Sequence, residues 1–236
     1  MLRMLKILPL LLALGTLGVF TTSCGTDHAK MRVVHASPDS PNVDVAADGK
    51  TVVTDLAFGS FSPASDYLTV TAGSRRVEVR TTGTTTDLIN STVNFGSQKA
   101  YTVIAAGFAA NIAAVVLTDD NSAPQSGNFK LRVVHTSPSG PSNLDVYIVA
   151  PGTDITGISP TISSLAYGQA SGYQSAAAAS TQVIITPAGN KTPIINQTYA
   201  LAAGQIRTLV VLDNAPGGTV DPIPLELFDS GVTQGG

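Results

Sequence analysis

Met31-Arg-Val-Val-His35-Ala-Ser-Pro38 decides the fold because it occurs twice. Leu131-Arg-Val-Val-His135-Thr-Ser-Pro138 repeats it 100 positions later. Self-similarity of this kind marks a duplicated structural unit. Working outward, Asn42-Val-Asp44-Val45 returns as Asn143-Leu-Asp145-Val146, and Leu56-Ala-Phe-Gly59 as Leu165-Ala-Tyr-Gly168. Tyr67 then matches Tyr173, and an offset of 106 holds through Val77/Val183, Leu88/Ile194 and Thr102/Thr208. The copies close on Val115-Val-Leu117-Thr-Asp119 and Leu225-Glu-Leu227-Phe-Asp229. The extra residues of the second copy, Ala150–Ser164 and Asn214–Pro222, fall where loops belong.

Each copy has the pattern of short strands. Met31–His35 is apolar and β-branched, and Ser37-Pro38 ends it. Val43–Ala47 alternates and stops at the turn dipeptide Asp48-Gly49. Tyr67–Thr71, Arg76–Arg80, Asp87–Val93, Ala100–Ala106 and Ile112–Leu117 complete about seven strands in roughly 90 residues, the density of an antiparallel sandwich. Ala176–Ala179 has helical propensity on its own. Aligned on Val70–Gly73, it becomes a strand end and turn. The fold class is therefore all-β: two tandem antiparallel β-sandwich domains, Ig-like or Greek-key-like, behind an N-terminal signal helix. The expected boundaries are 31–120 and 130–231, with a linker at 121–129 and a tail at 232–236. So short a linker implies two domains in contact or nearly so.

Composition agrees. The chain has 236 residues, 43% hydrophobic but only 12% charged, with 22 Gly, 14 Pro and no Trp. A helical bundle would need more helix formers, and a disordered chain fewer Val, Ile and Leu. A net charge of −3 removes any general case for nucleic-acid binding.

Residues 1–23 differ from the rest. Arg3 and Lys6 form a basic start, and Ile7–Phe20 is an apolar run of 14, short for a membrane span and suited to a signal peptide. Thr21-Thr22-Ser23-Cys24 follows. A small residue before a lone cysteine resembles the lipobox of bacterial lipoproteins. That resemblance implies a diacylglycerol on the Cys24 thiol and cleavage before it. Thr21 stands where that family prefers Leu. Residues 24–30 then form a lipidated tether. The mature chain has 11 basic and 16 acidic side chains, net −5, so a polybasic patch has no part in anchoring. The expected address is extracytoplasmic and membrane-anchored, at the outer membrane if the host has two. Two or three acyl chains hold firmly, at about 0.8 kcal/mol per buried CH₂.

The repeated motifs, Arg-Val-Val-His-[Ala/Thr]-Ser-Pro, Asp-Val, Leu-Ala-[Phe/Tyr]-Gly, Ala-Gly and a closing Leu-x-Asp, resemble the bacterial and archaeal family called domain of unknown function 4397. The resemblance covers nearly all of residues 31–120 and 130–230, and implies extracytoplasmic location and tandem architecture with no reaction. The second copy departs late: Arg207 replaces Tyr101, and Leu212-Asp213 replaces Ala106-Gly107.

Chemistry is sparse. His35, Ser37 and Asp44, repeated as His135, Ser137 and Asp145, have the ingredients of an acyl-transfer triad. No Gly-x-Ser-x-Gly elbow surrounds either serine, so a hydrolase is the weakest reading. The stronger one makes all six turn-pinning groups, with an imidazole N–H bonded to Asp44 or to a turn carbonyl. Asp119-Asp120-Asn121, and Asp39 with Asp44, carry calcium-type oxygens but lack a calcium-loop spacing. His28, His35 and His135 lack a zinc pattern. No metal, no cofactor and no enzymatic activity are expected. Tyr67, Tyr101, Tyr147, Tyr167, Tyr173 and Tyr199 are sugar-stacking candidates or core residues with a polar edge. The reading is a lipid-anchored structural, adhesion or scaffold module whose partners are the membrane and a glycan or envelope protein. The alternative is a lipoprotein that binds a glycan or peptide.

Overall fold

The computed structural model describes residues 27–214 and 223–229. The signal segment and Cys24 lie outside them. The N-terminal half contains β1 (His28–Ala36), β2 (Val43–Ala47), β3 (Lys50–Leu56), β4 (Phe61–Ser62), β5 (Leu68–Thr71), β6 (Gly73–Thr81), β7 (Asp87–Phe95), β8 (Ala100–Ala106) and β9 (Ala113–Asp119). The C-terminal half contains β10 (Asn128–His135), β11 (Asn143–Val149), β12 (Ile162–Ala166), β13 (Gln174–Ala177), β14 (Ala179–Pro187), β15 (Ile195–Leu201), β16 (Ile206–Leu212) and β17 (Ile223–Phe228). The alanine-rich stretch is strand, as the alignment predicts: β13 ends at Ala177 and β14 starts at Ala179.

Each half is two facing sheets. The inner sheet of the first runs β4-β1-β8-β9, with β5 also on β1; the outer runs β3-β2-β6-β7. The second half repeats this as β13-β10-β16-β17 and β12-β11-β14-β15. The expectation of antiparallel pairing needs one amendment in each half. β1 runs parallel to β8, from Lys30↔Ala100 to Ala36↔Ala106, and β10 runs parallel to β16, from Lys130↔Ile206 to His135↔Val211. The remaining pairings between strands are antiparallel.

Two details differ from the sequence reading. β1 begins at His28, inside the expected tether, because His28–Met31 pairs with Leu68–Thr71. β3 and β12 are strands that alternation alone does not predict. Each is bulged against its neighbour, and Asp55 and Ser164 take φ of 53° and 52°.

Alternation along the inner strands sets the packing. Met31, Val33, Tyr101, Val103 and Ala105 face their own sandwich with Val45, Val79 and Phe95. The second half does the same with Phe129, Leu131, Val133, Leu209 and Val211. The intervening residues have no sandwich of their own to enter. Val34, Ala36, Ile104 and Ala106 pack against Val134, Val210, Leu212 and Leu227 across the two halves. The central strands β1, β8, β10 and β16 are buried on both faces, which is why the repeated motif is apolar at both parities. The result is four layers. The insertion after β11 closes over the outer sheet, where Ile155 packs with Tyr147 and Ile184.

Both inner strands also run the same way. β9 returns antiparallel to β8, and Lys130 Nζ reaches back to Asp120 across the linker. β1 and β10 therefore leave one end, here the tether end. They deliver His35 and His135 to the other, the far end, about 25 Å away at ~3.3 Å per residue.

Candidate functional site

The repeated histidines close the far-end corners. Both are fully buried. His35 Nε2 lies 3.0 Å from the Pro41 carbonyl, and His135 Nε2 lies 2.7 Å from the Pro141 carbonyl. A carbonyl can only accept, so Nε2 carries the proton. Burial lowers both imidazole pKa values and keeps the rings neutral, against the bonds to Pro41 and Pro141. Phe58 and Tyr167 stand edge-on to the two rings, at 6.2 and 5.7 Å.

The aspartates of the motif work elsewhere. Asp44 accepts from the Asp55 amide at 2.9 Å, the Gly83 amide at 3.2 Å and the Thr82 hydroxyl at 3.2 Å. Asp145 accepts from the Ser164 amide at 2.8 Å and the Gly189 amide at 2.9 Å. Each carboxylate thus fixes a bulge residue of positive φ and a hairpin glycine. Amide donation lowers the Asp44 pKa. Neither aspartate bonds to a histidine, so the imidazoles take the turn-carbonyl option.

The serines differ between halves. Ser137 and Ser139 donate from Oγ to the two carboxylate oxygens of Asp213, which is 1% exposed. The first half has Gly107 in that place, and the buried Ser37 Oγ has no partner among the described residues. The Ser37 amide points at His35 Nδ1 at 3.4 Å. Neither hydroxyl bonds to an imidazole, so the geometry of a serine nucleophile with its base is not assembled.

The largest polar constellation is one the sequence reading did not single out. On the inter-half faces, Arg32 donates to Asp229 and to Thr102 Oγ1 at 3.0 Å. Arg132 donates to Asp119 at 2.6 Å and to Thr208 Oγ1 at 2.9 Å. Thr102 and Tyr67 donate to Asp119 at 2.7 and 2.9 Å, and Thr208 and Tyr173 donate to Asp229 at 2.6 and 2.9 Å. The guanidinium carbons lie 4.9 Å and 4.7 Å from the ring centroids of Tyr67 and Tyr173. Each arginine makes its closest ion pair with the aspartate of the other half, so the seam is reciprocal; Arg32 also lies 3.6 Å from Asp119 of its own half. The four charged side chains are at most 4% exposed. Burial opposes the Arg32 charge, but Asp229, Tyr67 and Asp119 outweigh it and raise its pKa. Burial also drives the Tyr67 and Tyr173 phenols well above their ordinary range, so both remain donors.

This seam absorbs several candidates. Asp119 is a partner of arginine, and Asp120 of Lys130 at 2.8 Å, which with Ser122 holds the Asp120 carboxyl at about 2. Asp39 receives the Ala109 amide at 2.7 Å. Among the described residues, no three His, Cys, Asp or Glu side chains are grouped to hold a metal. Of the tyrosines, Tyr101, Tyr147 and Tyr199 are buried, while Tyr167 is 41% exposed. Tyr167 joins Gly107, Phe108, Asn111 and Pro138 in lining a far-end notch of about 220 Å³ between the halves. A wider hollow of about 570 Å³ lies at the tether end, along Lys30, Gln98, Lys99 and Asp119–Ser122.

The family model for domain of unknown function (DUF4397) matches residues 29–147, half of the chain, from the start of β1 into β11. The chain belongs to this family. Membership of the DUF4397 family brings no reaction with it. No curated protein matches the chain in sequence. Among solved structures, a "putative adhesin" from Bacteroides ovatus is similar at 11% identity, covering 85% of this chain and 95% of that one, with a TM-score of 0.25. At that score the likeness carries no argument. Among the described residues, no helix is long and apolar enough to cross a membrane.

Proposed function

We propose that this DUF4397 protein is a non-enzymatic display module of the cell envelope, anchored by lipid on Cys24, in which two sandwich domains act as one stiff body. The observation that carries the reading is the reciprocal seam. Arg32, Asp119, Arg132 and Asp229 tie the two inner sheets together from both sides. Buried pairs of this kind add less net stability than their contacts suggest, but they favour one docking geometry over sliding alternatives. A module that must hold a surface away from a membrane needs such fixed geometry. The polar groups repeated in both halves, His35, Asp44, His135 and Asp145, are spent on closing turns. The lipobox-like Ser23-Cys24 supports the anchor, and a tether of only a few residues before His28 would hold the body close to its membrane.

The test is direct. Cys24→Ser should abolish incorporation of a labelled fatty acid and move the protein from the membrane to the soluble fraction. Unchanged labelling and fractionation would overturn the anchor. A second reading, an envelope lipoprotein that binds a small ligand, is favoured by the exposed aromatic notch at the far end.

A further inference from the structure

We infer that the far-end notch is a binding subsite for a ligand that presents a protonated amine. It builds on the binding reading above and gives it a chemical class. Three observations converge on the same place.

The first is the lining. Phe108 and Tyr167 are 38% and 41% exposed, two of the few large apolar side chains left open among the described residues. Together with Pro138 and Asn111 they form a notch that is mostly apolar with one amide. Aromatic walls attract ammonium groups through the negative faces of their rings. At about 220 Å³ the notch is smaller than the ~300–1,000 Å³ of whole-ligand sites. It suits a head group on a larger molecule.

The second is charge. Pro138 sits between Ser137 and Ser139, whose hydroxyls both bond to Asp213. The carboxylate therefore lies directly behind one wall of the notch. Its charge reaches the Tyr167 phenol, whose pKa is raised by burial first and by Asp213 second. Asp119 and Asp229 are each neutralised by an arginine. Asp213 forms no ion pair among the described residues, and residues 214–222 contain neither Lys nor Arg. A buried carboxylate held by neutral donors keeps its field, and among the described residues the notch beside Tyr167 is an opening that this field reaches.

The third is placement. The notch lies where β8 and β10 end, so it faces away from the tether and toward whatever meets the module. Neutral sugars and apolar groups would use the rings but gain nothing from Asp213. The charge is what selects an amine.

Two sources present this group: a lysine side chain of a peptide, and an amino sugar. Titration of the full-length protein in detergent separates them. The probes are Nα-acetyl-lysine methylamide and glucosamine, each beside its neutral N-acetylated counterpart. At least one cationic probe should bind about tenfold more tightly than its neutral counterpart, the factor expected of one partly desolvated cation–π contact. The lysine probe alone would identify the peptide source, and glucosamine alone the sugar source. Tyr167→Ala and Phe108→Ala remove partly exposed rings and should each weaken the cationic probe about tenfold at a temperature where a cooperative melt shows the variant to be folded. Asp213→Asn should weaken the cationic probe and leave the neutral one unaffected. Should that variant fail to fold, the two aromatic variants decide the matter. Equal binding of charged and neutral probes, no binding at millimolar concentration, or binding unaltered by Tyr167→Ala would overturn the inference. None of these outcomes touches Cys24 labelling, so the anchor stands or falls separately.

Discussion

The seam and the far end obey opposite rules, although both are built from the same repeated strands. Along the seam, whatever one half offers the other returns: Arg32 to Asp229, Arg132 to Asp119, Thr102 beside Asp119 and Thr208 beside Asp229. At the far end the halves diverge, with Gly107 in one place and Asp213 in the other, and Phe58 half-buried where Tyr167 is open. The polar set is symmetric where the two halves fit each other, even though the apolar contacts around it differ, as Ala106 and Leu212 do. That symmetry is lost where the halves face outward. A pair of copies that bind one another constrain both sets of side chains together, whereas the exposed end is free to specialise in one copy.

The largest expected effect tests the symmetry of the seam. Asp119→Ala and Asp229→Ala should each lower unfolding free energy by about 3–5 kcal/mol, since each removes the nearest carboxylate from a buried arginine. Near-equal losses in urea melts support a reciprocal seam; a loss confined to one variant breaks the comparison. Replacing Arg32 and Asp229 together by Met and Leu should cost much less, because the desolvation cost leaves with the pair.

Next is the apolar part of the same interface. Ile104→Ala should cost about 2–5 kcal/mol in the same melts, and should loosen both halves, because Ile104 packs against the second half rather than its own core. Melting that leaves the C-terminal half unaffected would contradict that placement.

A smaller effect probes the divergent end. Gly107 has φ of 101°, and an added Cβ would lie 2.9 Å from the Asn111 carbonyl oxygen. Gly107→Ala should cost about 1–3 kcal/mol through backbone strain. Asp213→Gly should be tolerated by the backbone but leave Ser137 and Ser139 without their acceptor.

The smallest effect is a pH dependence shared by the two corners. Burial lowers the folded pKa of His35 and His135 below 6.5. Below that value the unfolded chain takes up protons that the folded chain refuses. Stability should hold above pH 6.5 and fall as pH drops from there toward the folded values. The window opens above the carboxylate range, where the lowered Asp44 pKa makes stability fall further. Thermal melts of His35→Gln and His135→Gln across pH 7.5 to 5 should each lose part of the upper slope. An unchanged slope in both would remove the histidines as its source.

Much of this architecture is written in local pattern, and its limits are equally physical. Alternation and turn dipeptides predict strands such as Val43–Ala47 and Ala100–Ala106 because a half-buried strand must alternate. β3 and β12 escape because a bulge residue at positive φ breaks that rhythm. The parallel pairing of β1 with β8 escapes because strand direction depends on how the chain crosses, which no local pattern records. The seam was half visible: Arg32 and Arg132 belong to the opening motif, and Asp119 and Asp229 close the copies. An arginine inside a strand apolar at both parities is a sign of a charge buried between two surfaces. Its partner lies 197 residues away, beyond the reach of pattern alone. In the sequence Asp213 is only a departure from the repeat. Its meaning depends on Ser137 and Ser139, which the fold brings to it.

The direction of β1 has a mechanical consequence. It is a central strand, flanked by β8 on one side and β5 and β4 on the other, and the chain enters it from the tether end at His28. A pull between the chain's start and the far end runs along the strand axis. The hydrogen bonds to β8, spread over seven register pairs, would then be sheared together, not peeled one after another. Any body anchored through its first residues and tugged from the opposite side meets its strongest resistance in that arrangement.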